Sequence, residues 1–413
     1  MNPSEKGWLL KYLEFRVPSP INLEDADKDA DAVLYREIQP TGLLYGHPIH
    51  SPFRHPKENR WNNFGKMKVV VLESFFYSSL LKKRDLPTNE DEWTGFYTDT
   101  VTSIETFYEQ LNPKVKKKFV IPFLKPEQDK FQLSEKALRK NLFLHSRWDN
   151  FWACLFHNSL LFLDTYYFGE WSAGNFHNIK WHKDAIKIMI LKVLAAAAHS
   201  NNLIASQERN MFYSFLSTAN LTKDQSRTLR DHFNNGLNLE EIDLRQADTW
   251  LLKKYVLELA ILMIWSDQKV DEKERMFLID LCDKLSLNKN ELEVSLIAIE
   301  SFVIENWKEV YFLQTKHSYQ LIGETIIARL KKLIVNHKDY FEKQIATLQD
   351  MQLNNLSLEE MSDEQKEKVK QKLINIIKQI PDVKVVSLPE KFLSLQVLLK
   401  IFPKELIPFN LPD

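Results

Sequence analysis

Residues 194–221 read LAAAAHSNNLIASQERNMFYSFLSTANL, and residues 260–287 read AILMIWSDQKVDEKERMFLIDLCDKLSL. The two stretches stand 66 positions apart and share one pattern. An apolar helix end leads into a short polar turn, then Glu-Arg, then a second apolar helix that closes on Leu. Apolar residues at helical spacing on both sides of a short turn specify neighbouring helices. A segment written twice in this way reads as a duplicated helical module, and stacked copies share one core. The copies are expected over about 183–245 and 250–310, as a tandem centre spanning 183–310.

The chain around this centre reads the same way. No proline stands between Pro126 and Pro381, and the sequence holds only 9 glycines. Both residues break helices, so their scarcity favours long continuous ones. No regular apolar–polar alternation frames a hairpin turn, so strands are not expected. The expected fold class is all-α, a multi-helix bundle. Residues 1–60, with PSP (18–20), HPIHSPFRHP (47–56) and the acidic NLEDADKDADAV (22–33), read as an irregular, partly extended arm. Residues 61–180 read as an aromatic-rich helical domain with helices near 65–83, 92–111, 133–145 and 147–168. Residues 317–413 read as a long helix (317–350), a linker (353–364), and a helix that starts at a Ser362/Gln365 capping box and stops at Pro381.

Composition narrows the function classes. Apolar content is 44% and net charge is −1, so no global field recruits nucleic acid or anionic lipid. Nucleic acid is therefore not an expected partner. Cys154 and Cys282 lie in apolar runs and read as buried thiols in a reducing compartment. With no charged-then-apolar leader at the start of the sequence, the expected location is cytoplasmic. The most apolar stretch, FWACLFHNSLLFLDTYYF (151–168), is interrupted by His157, Asn158, Ser159 and Asp164 and reads as a core helix, not a membrane span.

Four groups of residues bear on chemistry. Asp267, Asp271, Glu272 and Glu274 cluster in the turn of the second copy, where their oxygens suit a hard cation such as calcium or magnesium. The EF-hand spacing and its glycine are absent. Asp271 also suits an N-cap, with Glu274 completing its box. The first copy has Asn201, Ala205 and Glu208 at the matching places. His47, His50 and His55 sit in a proline-rich loop, where packing competes with metal ligation. His157 and Asp164 share a helix face, either as a buried polar pair or, in a hydrolase reading, as a dyad. Phosphate-cradling glycine loops are missing.

The fourth group lies near the end of the sequence. Lys366, Lys368, Lys370, Lys372 and Lys378 stand opposite an apolar stripe, followed by LPEKFLSLQVLLKIFPKELIPFNLP (388–412). Lys366, Lys370, Lys391, Phe392, Leu398, Leu399, Lys400 and Phe402 form a candidate membrane or partner surface, with lysines toward headgroups. The competing reading docks the same stripe on the long helix and closes the domain.

WSDQKVDEKE (265–274) resembles the acidic turn of the tellurite-resistance TerB-type helical domain, with Gln268 where that family has glycine. The resemblance implies metal ligands at Asp267, Asp271 and Glu274. MSDEQKEKVKQKLINIIKQIP (361–381) and LLKIFPKELIP (398–408) are similar to a segment of LETM-type proteins, with LPEKF (388–392) where relatives have proline-glycine-glycine. The combined layout resembles the LETM-related biofilm-associated proteins of Bacteroidetes. These resemblances imply a non-enzymatic scaffold or adaptor, peripheral to the inner membrane and linked to biofilm or ion homeostasis. Its expected partner is a protein or an anionic membrane surface. A divalent-metal-responsive binding module is the alternative, and no other cofactor is expected.

Overall fold

A computed structural model of the chain describes residues 1–23, 29–83, 86–112, 129–142, 160–201, 203–265, 271–288, 290–308, 319–337, 360–380, 383, 386 and 388–402, with 176–181 described for the backbone alone. The described residues are helical, with no strand among them. They form two compact units, Met1–Tyr255 and Val256–Asp413.

The first unit holds α1 (Trp8–Arg16), α2 (Ala30–Ile38), α3 (Asn63–Lys83), α4 (Glu90–Leu111), α5 (Lys130–Leu142), α6 (Phe162–Ser172), α7 (Phe176–Ala198), α8 (Ser206–Thr218), α9 (Lys223–Asn235) and the start of α10 (Trp250–Trp265). Its centre is α3, whose run VVVLESFFYSSLL is buried on every side. A helix that is apolar all round belongs inside. The α3 ring of Phe75 stacks on Phe168 of α6 at 4.2 Å, and Phe107 of α4 meets Phe168 edge-on at 5.0 Å. Such pairs add to the burial of their area. The close approach of α3 and α6 depends on Gly169, where an added Cβ lies 2.2 Å from Ser78 Oγ. Ser78 donates to the Thr165 carbonyl at 2.8 Å, which ties the same two helices.

Residues 1–60 differ from the expected irregular arm. They contain α1, α2 and three 3₁₀ turns. Trp8, Leu9, Tyr12, Leu34, Tyr35 and Ile38 are all buried. Proline density marks the bends between these short elements, and the apolar residues of the short helices complete the core. A buried ion pair locks α1 to α3: Arg16 Nε lies 3.1 Å from Glu73 Oε1, which also accepts from Tyr12 Oη at 2.7 Å. Burial pushes the Glu73 carboxyl up, and Arg16 and Tyr12 pull it back. The Arg16 guanidinium also covers the Phe53 ring at 4.0 Å.

The second unit holds the rest of α10 with α11 (Glu272–Lys284), α12 (Glu291–Glu305), α13 (Tyr319–Asn336), α14 (Asp363–Lys378) and α15 (Leu395–Ile401). The expected long helix is described as α13, and 338–359 lie outside the described residues. Ile322, Ile326, Leu330 and Leu333 of α13, Val369, Leu373, Ile376 and Ile377 of α14, and Leu398 and Ile401 of α15 are buried, with α15 packed on both other helices. The capping box that starts α14 is present: Ser362 N–H donates to Gln365 Oε1 at 2.8 Å and Gln365 N–H to Ser362 Oγ at 3.3 Å.

The 66-residue repeat has a backbone counterpart. Helix α8 (Ser206–Thr218) and helix α11 (Glu272–Lys284) begin and end 66 positions apart. In each, the third residue is a buried glutamate that accepts the N-cap N–H at 2.7 Å, Glu208 from Ala205 and Glu274 from Asp271. After each helix comes a non-glycine residue in the left-handed region, Asn220 and Ser286, both with φ 53°. These are the only two such residues among those described, and they too are 66 apart.

Candidate functional site

The acidic turn is the sharpest sequence-based site. Asp271 Oδ1 accepts the Glu274 N–H at 2.9 Å, while Glu274 Oε2 accepts the Asp271 N–H at 2.7 Å. The two carboxylates form a reciprocal capping box that satisfies orphan donors of α11. Glu274 is 1% exposed, so its carboxylate faces the protein. Asp267 lies outside the described residues. Among the described residues, no group of three His, Cys, Asp or Glu side chains is placed to hold a metal ion. The donor set described for calcium or magnesium is thus two carboxylates already engaged by backbone.

The candidate membrane surface divides. Phe392, Leu398, Leu399 and Phe402 are 4%, 0%, 9% and 3% exposed and belong to the core of the second unit. They are not a free apolar face, which corrects the surface expected from the sequence. The reason is periodicity. A helix as short as α15 buries its apolar residues only by packing, and α13 and α14 supply the matching stripes. The lysines remain at the surface. Lys400 is exposed, Lys366 is half-buried, and Lys370 lies 3.2 Å from Glu367. Lys391 covers the Tyr319 ring at 4.0 Å and hydrogen-bonds its hydroxyl. Among the described residues, no helix is long and apolar enough to cross a membrane.

The loop histidines separate from one another. His55 packs edge-on against Phe15 at 4.3 Å, and His50 Nδ1 lies 3.8 Å from Glu58. Burial pushes His47 down to about 4, with Lys66 adding to the effect. A neutral, enclosed imidazole is the behaviour of a core histidine. Cys282 is buried, and Cys154 lies outside the described residues.

A site that the sequence reading left unassembled forms around Asp164, while His157, its proposed partner, lies outside the described residues. Helix α6 carries Asp164 to the end of α4, where Tyr108 Oη donates to Asp164 Oδ2 at 3.0 Å. From α7, Lys183 Nζ donates to the Leu111 carbonyl and, at 3.2 Å, to Asn112 Oδ1. One turn on, Lys187 Nζ donates to the Ala219 carbonyl at 2.9 Å. Each lysine therefore meets the last carbonyls of a helix, α4 or α8, where the dipole is negative. Burial pushes Asp164 up to about 6, against the pull of Lys187, Tyr108 and Lys183. Burial also lowers Lys187, with Asp164 opposing. Asp164, Lys183, Lys187 and Asn112 line a cavity of ≈ 50 Å³. A second cavity of ≈ 270 Å³ lies between α4 and α5, and Asn112 and Asn141 line both. The sequence reading singled out Asp164 but not Lys183 and Lys187, because the members of this cluster come from separate helices.

No known protein family, curated protein or solved structure matches the chain.

Proposed function

We propose that the chain is a non-enzymatic helical adaptor whose second unit docks on an anionic surface, peripheral to the cytoplasmic face of a membrane. The observation that carries this reading is the orientation of α14. Its apolar stripe, Val369, Leu373, Ile376 and Ile377, is buried, which leaves Lys366, Lys372 and Lys378 on the remaining faces. Lys400 of α15 is exposed as well. With Phe392, Leu398, Leu399 and Phe402 turned inward, adhesion rests on charge and not on apolar insertion. Two ion-paired clusters, one in each unit, support an architectural role. Arg16 meets Glu73, and Arg329 meets Glu293 at 2.7 Å and Glu300 at 3.3 Å.

Charge-based docking is weakened by salt and by loss of lysines. The test is flotation of the full chain with phosphatidylglycerol–phosphatidylcholine vesicles against phosphatidylcholine alone, at low and high salt. Recovery is expected only with the anionic vesicles at low salt. It should fall severalfold in a variant carrying Lys366→Glu, Lys372→Glu, Lys378→Glu and Lys400→Glu. Equal recovery of variant and wild type removes the reading.

A further inference from the structure

Helices α12 and α13 pack together and share one cluster of charges. Glu293 and Glu300 stand two turns apart on one face of α12, and both are 5% exposed. Arg329 of α13 serves both. Its Nη1 donates to Glu293 Oε2 at 2.7 Å, while its Nε is divided between the two Glu300 oxygens at 3.3 Å each. Glu293 has further support at the rim. Lys332 of α13 donates to it, and Arg275 of α11 comes within 3.9 Å. Among the described residues, the charged groups that act on Glu300 are Arg329 and Glu293. One carboxylate therefore faces three cations, and the other holds a single long, divided hydrogen bond. A buried carboxylate with so little compensation is the one a proton neutralises first. Burial pushes Glu300 up to about 7, against the pull of Arg329 and with a further push from Glu293. Burial acts on Glu293 as well, but Lys332 and Arg329 hold it below the usual carboxylate range.

We propose that the α12–α13 interface is a proton-controlled clasp, in which Glu300 takes up a proton while it stays buried, and the two helices hold more tightly with it neutral than with it ionised. The protonated carboxyl still offers its carbonyl oxygen to Arg329 Nε, and Arg329 keeps its ion pair with Glu293. What disappears is a buried negative charge that one divided hydrogen bond does not offset. Opening the interface returns Glu300 to water and to its ordinary value of 4.5. The closed interface therefore binds the proton more tightly than the opened one. Closure is strongest below 4.5 and weakens until the pH has risen through about 7. Between pH 6 and pH 8 the open fraction should rise on the order of tenfold. The clasp belongs to the second unit, and it stands whether or not that unit docks on a membrane.

The test is hydrogen exchange of the full chain at pH 5, 6, 7 and 8, read by mass spectrometry on peptides from Tyr319–Asn336 and corrected for the intrinsic rate. In the wild type, opening should rise about tenfold between pH 6 and pH 8. Glu300→Gln keeps the shape of the side chain and cannot ionise. Its opening should be the same at every pH and within about fivefold of wild type at pH 8. Circular dichroism checks that it folds. Glu293→Gln leaves Arg329 to Glu300 alone and should move the pH-dependent step to lower pH. Wild-type opening that does not change with pH overturns the proposal. So does a folded Glu300→Gln that keeps the change, or that opens more than about fivefold faster than wild type at pH 8. A step that stays in place in Glu293→Gln overturns it as well.

Discussion

Asp164→Asn is expected to stabilise the protein at neutral and alkaline pH. The carboxyl has an ordinary value of 3.8 and is held at about 6, chiefly by burial. Folded Asp164 therefore binds its proton more tightly than the unfolded chain does. Native stability is greatest below the ordinary carboxyl range and falls as pH rises through about 6. Each tenfold change in proton affinity is worth about 1.4 kcal/mol, so ionised Asp164 costs up to about 3 kcal/mol. Two effects reduce the gain from replacing it. Asp164 keeps a solvent-facing edge on the cavity, and Lys187 loses a charge that supports its ammonium. The net expectation is about 1–2 kcal/mol of added stability at pH 8, shrinking to near zero at pH 4. Asparagine still accepts from Tyr108, so the hydrogen bond is retained in kind. Urea unfolding of wild type and variant at pH 4, 6 and 8, read by far-UV circular dichroism, measures the difference. A variant less stable than wild type at pH 8, or a difference that does not vary between pH 4 and 8, would refute the linkage argument.

Four further outcomes follow from particular contacts. Asp271→Ala removes the N-cap of α11 and should cost about 1 kcal/mol. The cost should be the same with and without millimolar calcium in thermal unfolding, because the carboxylate binds backbone. Glu293→Ala takes the shared acceptor from Arg329 and Lys332 and should cost about 2–3 kcal/mol in urea unfolding. Glu300→Gln at the same cluster should cost less than 1 kcal/mol at pH 8, because burial already pushes that carboxyl up to about 7 and its ionisation is resisted. Gly169→Ala places a methyl 2.2 Å from Ser78 Oγ. It should destabilise by about 1–3 kcal/mol through loss of the α3–α6 tie, visible as a lower thermal midpoint.

What the sequence disclosed and what it hid divide along a physical line. Periodicity is local, so the helices at Asn63–Lys83 and Glu90–Leu111 were legible within two residues, as was the Ser362/Gln365 start of α14. The repeat was legible because α8 and α11 keep their length and their buried third-position glutamate. Residues 1–60 misled because proline-rich composition signals bends and does not report how much apolar surface the short pieces between them bury. Phe392 and Leu398 misled for a related reason. An amphipathic stripe looks the same whether it awaits a membrane or a neighbouring helix, and only the described packing on α13 and α14 decides. The Asp164 cavity was illegible because it gathers Asn112, Asn141, Lys187 and Asn220, residues from separate segments that no spacing connects.

Asn220 and Ser286 adopt one torsion at equivalent places after α8 and α11, although neither is the glycine that this torsion prefers. The sequences leading into the two helices differ, acidic before α11 and largely neutral before α8. The torsion that follows each helix is the same. Each of the two compact units carries one such helix and bend. The consequence is that glycine is not required at either bend: the chain after each helix holds a left-handed turn on a residue with a side chain.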